Sequence, residues 1–253
     1  MKILLTNDDG YFAPGIRALA KVLEKDHDVI VVAPETEHSG QSHAITINRA
    51  LVVKEVELEG VQSKAYSVSG TPADCVRAGV DKIVPERPDV IFSGCNLGYN
   101  AGMDIIYSGT VSAALEGSLL GIPSVAVSAR WVEGDARYDA AAKIAKEIFD
   151  KVEDAFMHYP EPMVLNINVP YLPYEEIKGI QVAEIGDNAY DYYFEEEVEG
   201  VRRLSLRGRA KTDHAAGTDR YYLERNYATL TPLVYGMADP HQILRLKSWF
   251  DEA

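Results

Sequence analysis

Alternating short apolar runs and helical patterns constrain this chain more than any other feature of its sequence. Lys2–Thr6 is an apolar run, and apolar residues then recur at helical spacing after Pro14. The next run, Asp28–Ala33, is rich in β-branched residues and stops at Pro34, which is typical of a strand buried on both faces. Strand, helix and strand in this order predict a parallel βαβ unit.

The same alternation continues as far as residue 170. It predicts six more elements, in the order helix, strand, helix, strand, helix, strand: 73–84, 89–93, 110–120, 124–128, 141–152 and 163–169. Beyond them, Tyr190–Val198 faces Val201–Leu206 across a Glu-Gly turn, which predicts a β-hairpin. We therefore predict an α/β fold: a doubly wound, mostly parallel sheet at 1–170, and a C-terminal extension at 171–253 with the hairpin and a terminal helix.

The charge balance limits the partners of the chain. Its 253 residues include 39 acidic and 25 basic side chains, which gives a formal net charge of −14. Nucleic-acid binding draws most of its affinity from lysines and arginines that displace counterions. We therefore expect no polymeric nucleic acid as a partner, while a small phosphate ester held by a metal ion stays compatible with the charge.

Cysteine usage and the N-terminal segment bear on location. Cys75 and Cys95 form no Cys-x-x-Cys pattern, so the sequence predicts no zinc framework. The apolar run at the N-terminus stops after Thr6 without a cleavage site, and no other run is long enough to span a bilayer. We expect a cytoplasmic protein without membrane association.

Oxygen-rich loops follow three of the predicted strands. They contain Asp8 and Asp9, then Ser39, then Asn96 and Asn100. Ligands of open α/β sheets bind beyond the carboxyl ends of the strands, so these loops should meet in one crevice. Two adjacent carboxylates repel each other and are kept ionised most easily by a cation, and oxygen ligands suit Mg²⁺, Mn²⁺ or Ca²⁺. Taken alone, the first loop is explained equally well as a simple turn.

Two glycine turns precede predicted helices. Ser108-Gly109-Thr110 opens the helix at 110–120, and a helix N-terminus of this kind attracts anions, although capping explains the same residues. Residues 93–129 contain no lysine or arginine, so a phosphate here would rely on N–H groups, hydroxyls and a metal. The similar turn at Thr71 is either a second wall of the site or a helix cap.

Five segments, in this order and spacing, resemble the SurE family of metal-dependent nucleoside-monophosphate phosphatases: Thr6–Gly10, the Ser39 loop, Ser69–Cys75, Ser93–Asn100 and Tyr107–Val111. Thr229–Leu233 also resembles a late strand of that family. The resemblance implies a Rossmann-like core and a C-terminal extension that is used in oligomerisation, as a homodimer or homotetramer.

The resemblance also implies a set of site residues. One divalent ion per subunit, Mg²⁺ or Mn²⁺, would be held by Asp8, Asp9, Ser39 and Asn96. The phosphate would be held by Asn100, Ser108, Gly109 and Thr110. Supporting positions around these groups are Asn7, His43 and Thr71.

These residues lead to a hypothesis about function. We predict a phosphomonoesterase that hydrolyses nucleoside monophosphates, a 5′-nucleotidase, in which a metal-activated water attacks phosphorus and Asp8, Asp9 and Asn96 are catalytic. The water's proton passes to Asp9 or His43, and the sequence leaves both open. It also leaves open the preferred base, the 5′ or 3′ ester, polyphosphate activity, the native metal, and dimer against tetramer.

Two other functions are compatible with the same pocket. One is a non-catalytic nucleotide-binding regulator. The other is an aspartyl-phosphate phosphatase of the haloacid-dehalogenase type, which uses Asp-x-Asp, whereas the adjacent Asp8 and Asp9 point in different directions. The tyrosines at 190, 192 and 193 and Phe194 either lie over a substrate's base or pack a subunit interface.

Overall fold

A large sheet organises the molecule. The computed structural model describes residues 1–161, 163–187, 190–208, 213–236 and 238–251. Its strands are β1 (Lys2–Thr6), β2 (Asp28–Pro34), β3 (Val53–Val56), β4 (Lys64–Val68), β5 (Val90–Leu97), β6 (Ser124–Ala129), β7 (Val164–Val169), β8 (Ile180–Val182), β9 (Tyr190–Val198), β10 (Val201–Gly208) and β11 (Ala228–Leu233). The helices are α1 (Pro14–Leu23), α2 (Pro72–Ala78), α3 (Gly109–Leu119), α4 (Tyr138–Met157), α5 (Asp219–Leu223) and α6 (Pro240–Asp251).

Nine strands form the main sheet, in the order β3-β4-β2-β1-β5-β6-β7-β11-β8. Strands β4, β2, β1, β5, β6 and β7 run parallel, while β3 and β11 are antiparallel to β4 and β7. The chain winds outward from β1 to β2 and β4 on one side, and later resumes at β5 on the other side of β1. The carboxyl ends of β1 and β5 are therefore the switch point at which such sheets bind ligands.

Helices cover both faces of the sheet. Successive residues of a strand point to opposite faces, and Ile3 and Leu5 pack in the cluster that contains residues of α1 and α4. Leu4 lies in the other cluster, with residues of α2 and α3 such as Val76 and Ala113. These two layers confirm the predicted doubly wound α/β fold.

Strand β5 differs from its predicted end at Ser93. It continues to Leu97 through a cis Gly94–Cys95 peptide bond, and its register against β6 shifts between Ser93 and Asn96. Asn96 is therefore on the strand, one residue before its end, and not in a loop. The adjacent pairing of Thr6 with Ser93 sets the ends of β1 and β5 side by side.

Other elements also depart from the pattern. Strands β3, β4 and β8 were not predicted, because they are short and β3 is largely exposed, so they lack a continuous apolar run. The helix predicted at 73–84 ends at Ala78 and is followed by a π-helical turn, Gly79–Ile83. No described helix combines the length and apolar character needed to cross a bilayer.

The C-terminal extension contributes to two sheets. Strands β9 and β10 form the predicted hairpin, a separate two-stranded antiparallel sheet in which Arg202 and Arg203 lie opposite Glu197 and Glu196. Strands β11 and β8 instead extend the main sheet beyond β7. A division of the chain at residue 170 stays a prediction.

Candidate active site

A cavity of about 860 Å³ opens at the carboxyl ends of β1, β5 and β6. Five of the predicted site residues line it: Asp8, Ser39, Asn96, Asn100 and Ser108. They come from four separate segments of the chain. The convergence of the strand-end loops on one crevice is therefore observed.

Asp8 is held tightly at the floor of this cavity. Its side chain is buried, its Oδ1 accepts a hydrogen bond from the Thr110 hydroxyl, and its carbonyl accepts one from the His38 N–H at 2.8 Å. A Cβ at Gly109 would lie 2.8 Å from the Asp8 Cβ, so glycine is required for this approach. Burial raises the pKa of Asp8, and the hydrogen bond from Thr110 offsets part of that rise.

Asp9, the second predicted carboxylate, is half-buried and is not among the residues that line the cavity. Its Oδ2 accepts a hydrogen bond from the Leu97 N–H at 3.0 Å, which links the end of β1 to the end of β5. Burial, and then the negative charge of Asp8, raise the pKa of Asp9 to about 7. Within the described part of the chain, neither carboxylate forms an ion pair with lysine, arginine or histidine.

Ser39 and Asn96 add neutral oxygens to this pair. The Asn96 Nδ2 donates to the carbonyl of Gly98 at 2.9 Å, so the side-chain oxygen is the atom of this amide that could face a cation. Ser39 is exposed, and its hydroxyl donates to Glu37 at 2.6 Å. The donors fit a hard cation such as Mg²⁺ or Mn²⁺. In the described ranges, no group of three or more His, Cys, Asp or Glu could hold a metal, so a cation here would depend on the serine and asparagine oxygens.

The N-terminus of α3 forms the wall next to Asp8. Ser108 lines the cavity and caps the helix, accepting a hydrogen bond from the Val111 N–H at 3.1 Å. Gly109 and Thr110 are the first two residues of the helix. The capping interpretation is thus confirmed, and the phosphate role of the same turn stays a prediction.

Asn100 is clamped by asparagines of β7. Its carbonyl accepts from the side chains of Asn166 and Asn168, each at 2.9 Å, and its N–H donates to the Asn168 Oδ1 at 2.8 Å. Its own Nδ2 donates to the Ser128 hydroxyl at 2.8 Å. Asn166 and Asn168 are fully buried, so the position of Asn100 is fixed by the core.

The supporting residues lie around the site and not on its wall. The Asn7 Nδ2 donates to the Gly10 carbonyl at 2.8 Å and shapes the turn after Asp9. The His43 Nε2 is 2.7 Å from Glu116 Oε2, on the side of α3. Thr71 caps α2, and its hydroxyl donates to the carbonyl of Ala44 at 2.7 Å.

Comparison with known proteins decides the family. The family model described as survival protein SurE matches residues 3–192. The chain belongs to the SurE family. The resemblance read from the five sequence segments is therefore confirmed.

SurE-family relatives match nearly the whole chain. The protein named 5′-nucleotidase SurE from Clostridium botulinum is 47% identical over 242 residues, 94% of this chain and 95% of the relative. The one from Clostridium tetani is 43% identical over 252 residues, 99% and 100% of the two chains. The crystal structure of the SurE protein from Aquifex aeolicus superposes with a TM-score of 0.85 at 36% identity, covering 99% of this chain and 100% of the other.

Sequence reasoning missed part of the cavity wall of this SurE-family protein. The segment 93–129 lacks basic residues, but Arg130, which follows it directly, and Arg220 line the cavity. Arg130 and its neighbour Trp131 come directly after β6, where the strand-end rule could have found them. Arg220 is on α5, far along the chain, and carries no comparable signal.

Helix α5 ties the cavity wall to the hairpin. The buried Asp219 accepts from the N–H groups of Gly102 at 2.7 Å and Gly186 at 3.0 Å. Arg220 donates to the carbonyls of Ala101 at 2.6 Å and Asp187 at 2.7 Å. The loop that carries Asn100, and the segment at Gly186 and Asp187 that precedes the hairpin in the sequence, are thereby fixed to one short helix.

Proposed function

We propose that this SurE-family protein is a divalent-metal-dependent phosphomonoesterase that hydrolyses nucleoside monophosphates, a 5′-nucleotidase. The observation that carries the proposal is the adjacent pair of a buried Asp8 and a half-buried Asp9 at the switch point of the sheet, with no ion pair to either carboxylate among the described residues. Asp8 lies against the N-terminus of α3, where an anion is favoured. The names of the Clostridium relatives support the same activity.

The metal would be held by the oxygens of the crevice. Asp8, Asp9, Ser39 and Asn96 are the residues we assign to one Mg²⁺ or Mn²⁺ per subunit. When bound, the ion supplies charge neutralisation and lowers the pKa of a coordinated water. The raised pKa of both carboxylates fits this assignment, because a pair that is costly to ionise alone is stabilised by a cation.

The protein's own groups would orient the ester. Thr110 fixes the Asp8 carboxylate, and the Leu97 N–H orients that of Asp9. The N–H groups at the start of α3, the Ser108 hydroxyl and the Asn100 amide would hold phosphate oxygens. We assign the proton of the attacking water to the Asp9 carboxylate and not to His43, because His43 is bonded to Glu116 beside α3.

Replacing Asp8 tests the proposal. Asp8→Asn should lower metal-dependent kcat on nucleoside monophosphates by about 100-fold or more, because it removes a charged ligand from the site. Phosphate release is measured with Mg²⁺ or Mn²⁺ and with EDTA. The affinity for Mn²⁺, measured by calorimetry, should weaken in parallel. Asp154→Asn is the matched control, since this carboxylate is exposed on α4.

Each alternative has its own outcome in this experiment. Wild-type turnover by Asp8→Asn with metal present would contradict the assignment. A covalent phosphate trapped on Asp8 would favour the aspartyl-phosphate mechanism. Metal-dependent nucleotide binding without any turnover by the unmodified protein would favour the non-catalytic regulator.

We propose further that the protein is a cytoplasmic homodimer or homotetramer whose contacts involve the hairpin and α6. Both cysteines are free and buried, as expected in a reducing compartment. Apolar side chains are exposed on both elements, among them Leu204, Leu206, Leu244, Trp249 and Phe250. A second copy of this chain is the occupant that we assign to this surface.

A further inference from the structure

One wall of the cavity is aromatic and has no part in the proposed phosphate chemistry. Trp131, Tyr107 and Tyr193 line it with 56%, 53% and 63% of their surfaces exposed. Large aromatic side chains are usually far more buried. In a concave site, exposed rings offer flat apolar surface to a flat ligand.

Trp131 is held at a defined place in this wall. It follows β6, whose end is tied on both sides: the Gly98 N–H donates to the Ala129 carbonyl at 2.7 Å, and the Arg130 N–H donates to the Val169 carbonyl at 3.0 Å. The backbone that presents the indole is therefore part of the rigid sheet edge. Anchoring of the residue before Trp131 restricts the backbone beside the indole, which lowers the entropic cost of binding.

Trp131 is also close to the proposed metal ligands. A Cβ built on Gly98 would lie 4.0 Å from the Asn96 Nδ2 and 4.0 Å from the Trp131 Cβ, so those two atoms are separated by twice that distance at most. The ribose of a nucleotide can bridge such a separation. Gly98 has a φ of +117° and no side chain, which leaves the space between the two residues open.

We propose that Trp131 is the platform on which the base of the nucleotide substrate stacks. This inference rests on the proposed function and adds the residue that binds the nucleoside part of the substrate. Stacking on an indole uses the π-face that every base has, so it tolerates base identity and favours purines through their larger area. The Tyr193–Leu206 cross-strand pair of the hairpin adds further apolar surface to the same cavity.

Fluorescence tests the platform without turnover. The chain has two tryptophans, so Trp249→Phe leaves Trp131 as the single indole. Titration with AMP and with adenosine, in EDTA, should quench its emission, because the base stacks on the ring whether or not a metal is bound. Ribose 5-phosphate should leave the emission unchanged. An unchanged emission with both AMP and adenosine would overturn the proposal.

Steady-state kinetics of Trp131 variants provide a second, independent test of the platform. Trp131→Ala should lower kcat/KM on AMP by roughly 10-fold or more, mainly through KM, and leave kcat/KM on glycerol 3-phosphate within about twofold. Trp131→Phe should restore most of the loss. Tyr159→Ala, an exposed aromatic at the end of α4 and outside the cavity lining, is the matched control.

The two arms separate this inference from the proposed function. If the wild type hydrolyses AMP and Trp131→Ala keeps the same preference for AMP over glycerol 3-phosphate, the platform is wrong and the nucleotidase assignment stands. If AMP is not hydrolysed but quenches Trp131 emission, the platform stands and the catalytic assignment fails.

Discussion

At the scale of single residues, the close approach of Asp8 to the start of α3 defines the site. Gly109 permits this approach, because its missing side chain leaves room for the Asp8 carboxylate beside the helix N-terminus. Thr110 then binds the same carboxylate through its hydroxyl. The proposed metal ligand Asp8 and the proposed phosphate cradle are therefore placed by one contact.

Gly109→Ala should reduce activity while leaving the fold intact. The added Cβ would lie 3.0 Å from Asp8 Oδ2 as well as 2.8 Å from its Cβ, so the carboxylate must move. We expect kcat/KM to fall by about 10- to 100-fold, because small displacements of reacting groups are costly. The melting temperature should fall as well, because the Asp8 Cβ is fixed to its backbone and the main chain must shift to relieve the contact, which outweighs the better helix propensity of alanine.

Gly236→Ala provides the matched control for that measurement. A Cβ there meets no heavy atom of the described residues within 4 Å, and the backbone φ is not positive. Equal activities of the two alanine variants would show that the approach of Gly109 to Asp8 does not matter for catalysis.

At the scale of elements, the loop that carries Ser39 is fastened to the helices around it. The Ser42 N–H donates to the Tyr107 carbonyl at 3.0 Å, and the Thr71 hydroxyl donates to that of Ala44. Beyond these, Glu116 on α3 binds His43 of the loop and Arg77 of α2, each at 2.7 Å. The Ser39 loop is thus held in place by α2 and α3.

Glu116→Gln should destabilise the protein in a pH-dependent way. Burial alone would raise the pKa of Glu116, but the hydrogen bonds from His43 and Arg77 and the charge of Arg77 bring it below the ordinary value of 4.5. Because the folded pKa is the lower one, the stabilisation is complete above 4.5 and is lost as pH falls through the folded pKa. At pH 7 we expect a loss of roughly 1–2 kcal/mol.

Urea unfolding at pH 7 and at several lower pH values measures this difference. The gap between wild type and Glu116→Gln should narrow as the pH falls below 4.5. Glu59→Gln is the control, since this partner of Arg17 is a surface residue and should contribute little. A gap of constant size across the pH range would contradict the role given to the charge of Glu116.

At the scale of the whole molecule, the net negative charge and the exposed apolar surface both indicate binding partners: a cation for the charge, and a second copy of the chain for the apolar surface. A net charge of −14 does not favour a phosphate-bearing ligand, so the proposed cation at Asp8 and Asp9 should strengthen the binding of the phosphate. The apolar surface on the hairpin and α6 has no comparable role within the described parts of one chain. Association of two or more copies would bury it.

Size-exclusion chromatography with light scattering, applied to the wild type and to Leu244→Glu, tests this association. The wild type should elute with a mass of two or four chains, and a charge placed in the apolar surface of α6 should shift the population toward one chain. Leu119→Glu is the matched control, because Leu119 is also exposed but ends α3. A wild type with the mass of one chain, or no shift in the α6 variant, would contradict the proposed interface.

The core of the fold and much of the candidate site were predictable from sequence. Strands such as β1 and β2 are buried on both faces, so they appear in the sequence as continuous apolar runs. Because these strands are parallel, the residues that follow their carboxyl ends lie at the same edge of the sheet. Asp8 and Asn96 were found in this way, and Ser108 was found from the glycine turn that opens α3. The short strands β3 and β8 were missed because they lie at the sheet edges, where the apolar pattern is weak.

The sequence by itself determined which residues lie at the ends of the parallel strands, since strand bounds and the parallel direction of βαβ units follow from local patterns. The tertiary structure decided what else reaches that crevice. Arg220 arrives on α5 and Tyr193 on the hairpin, and Asn100 is fixed by asparagines of β7. These contacts join segments distant in the chain, and they depend on how side chains pack in three dimensions, which no local periodicity encodes.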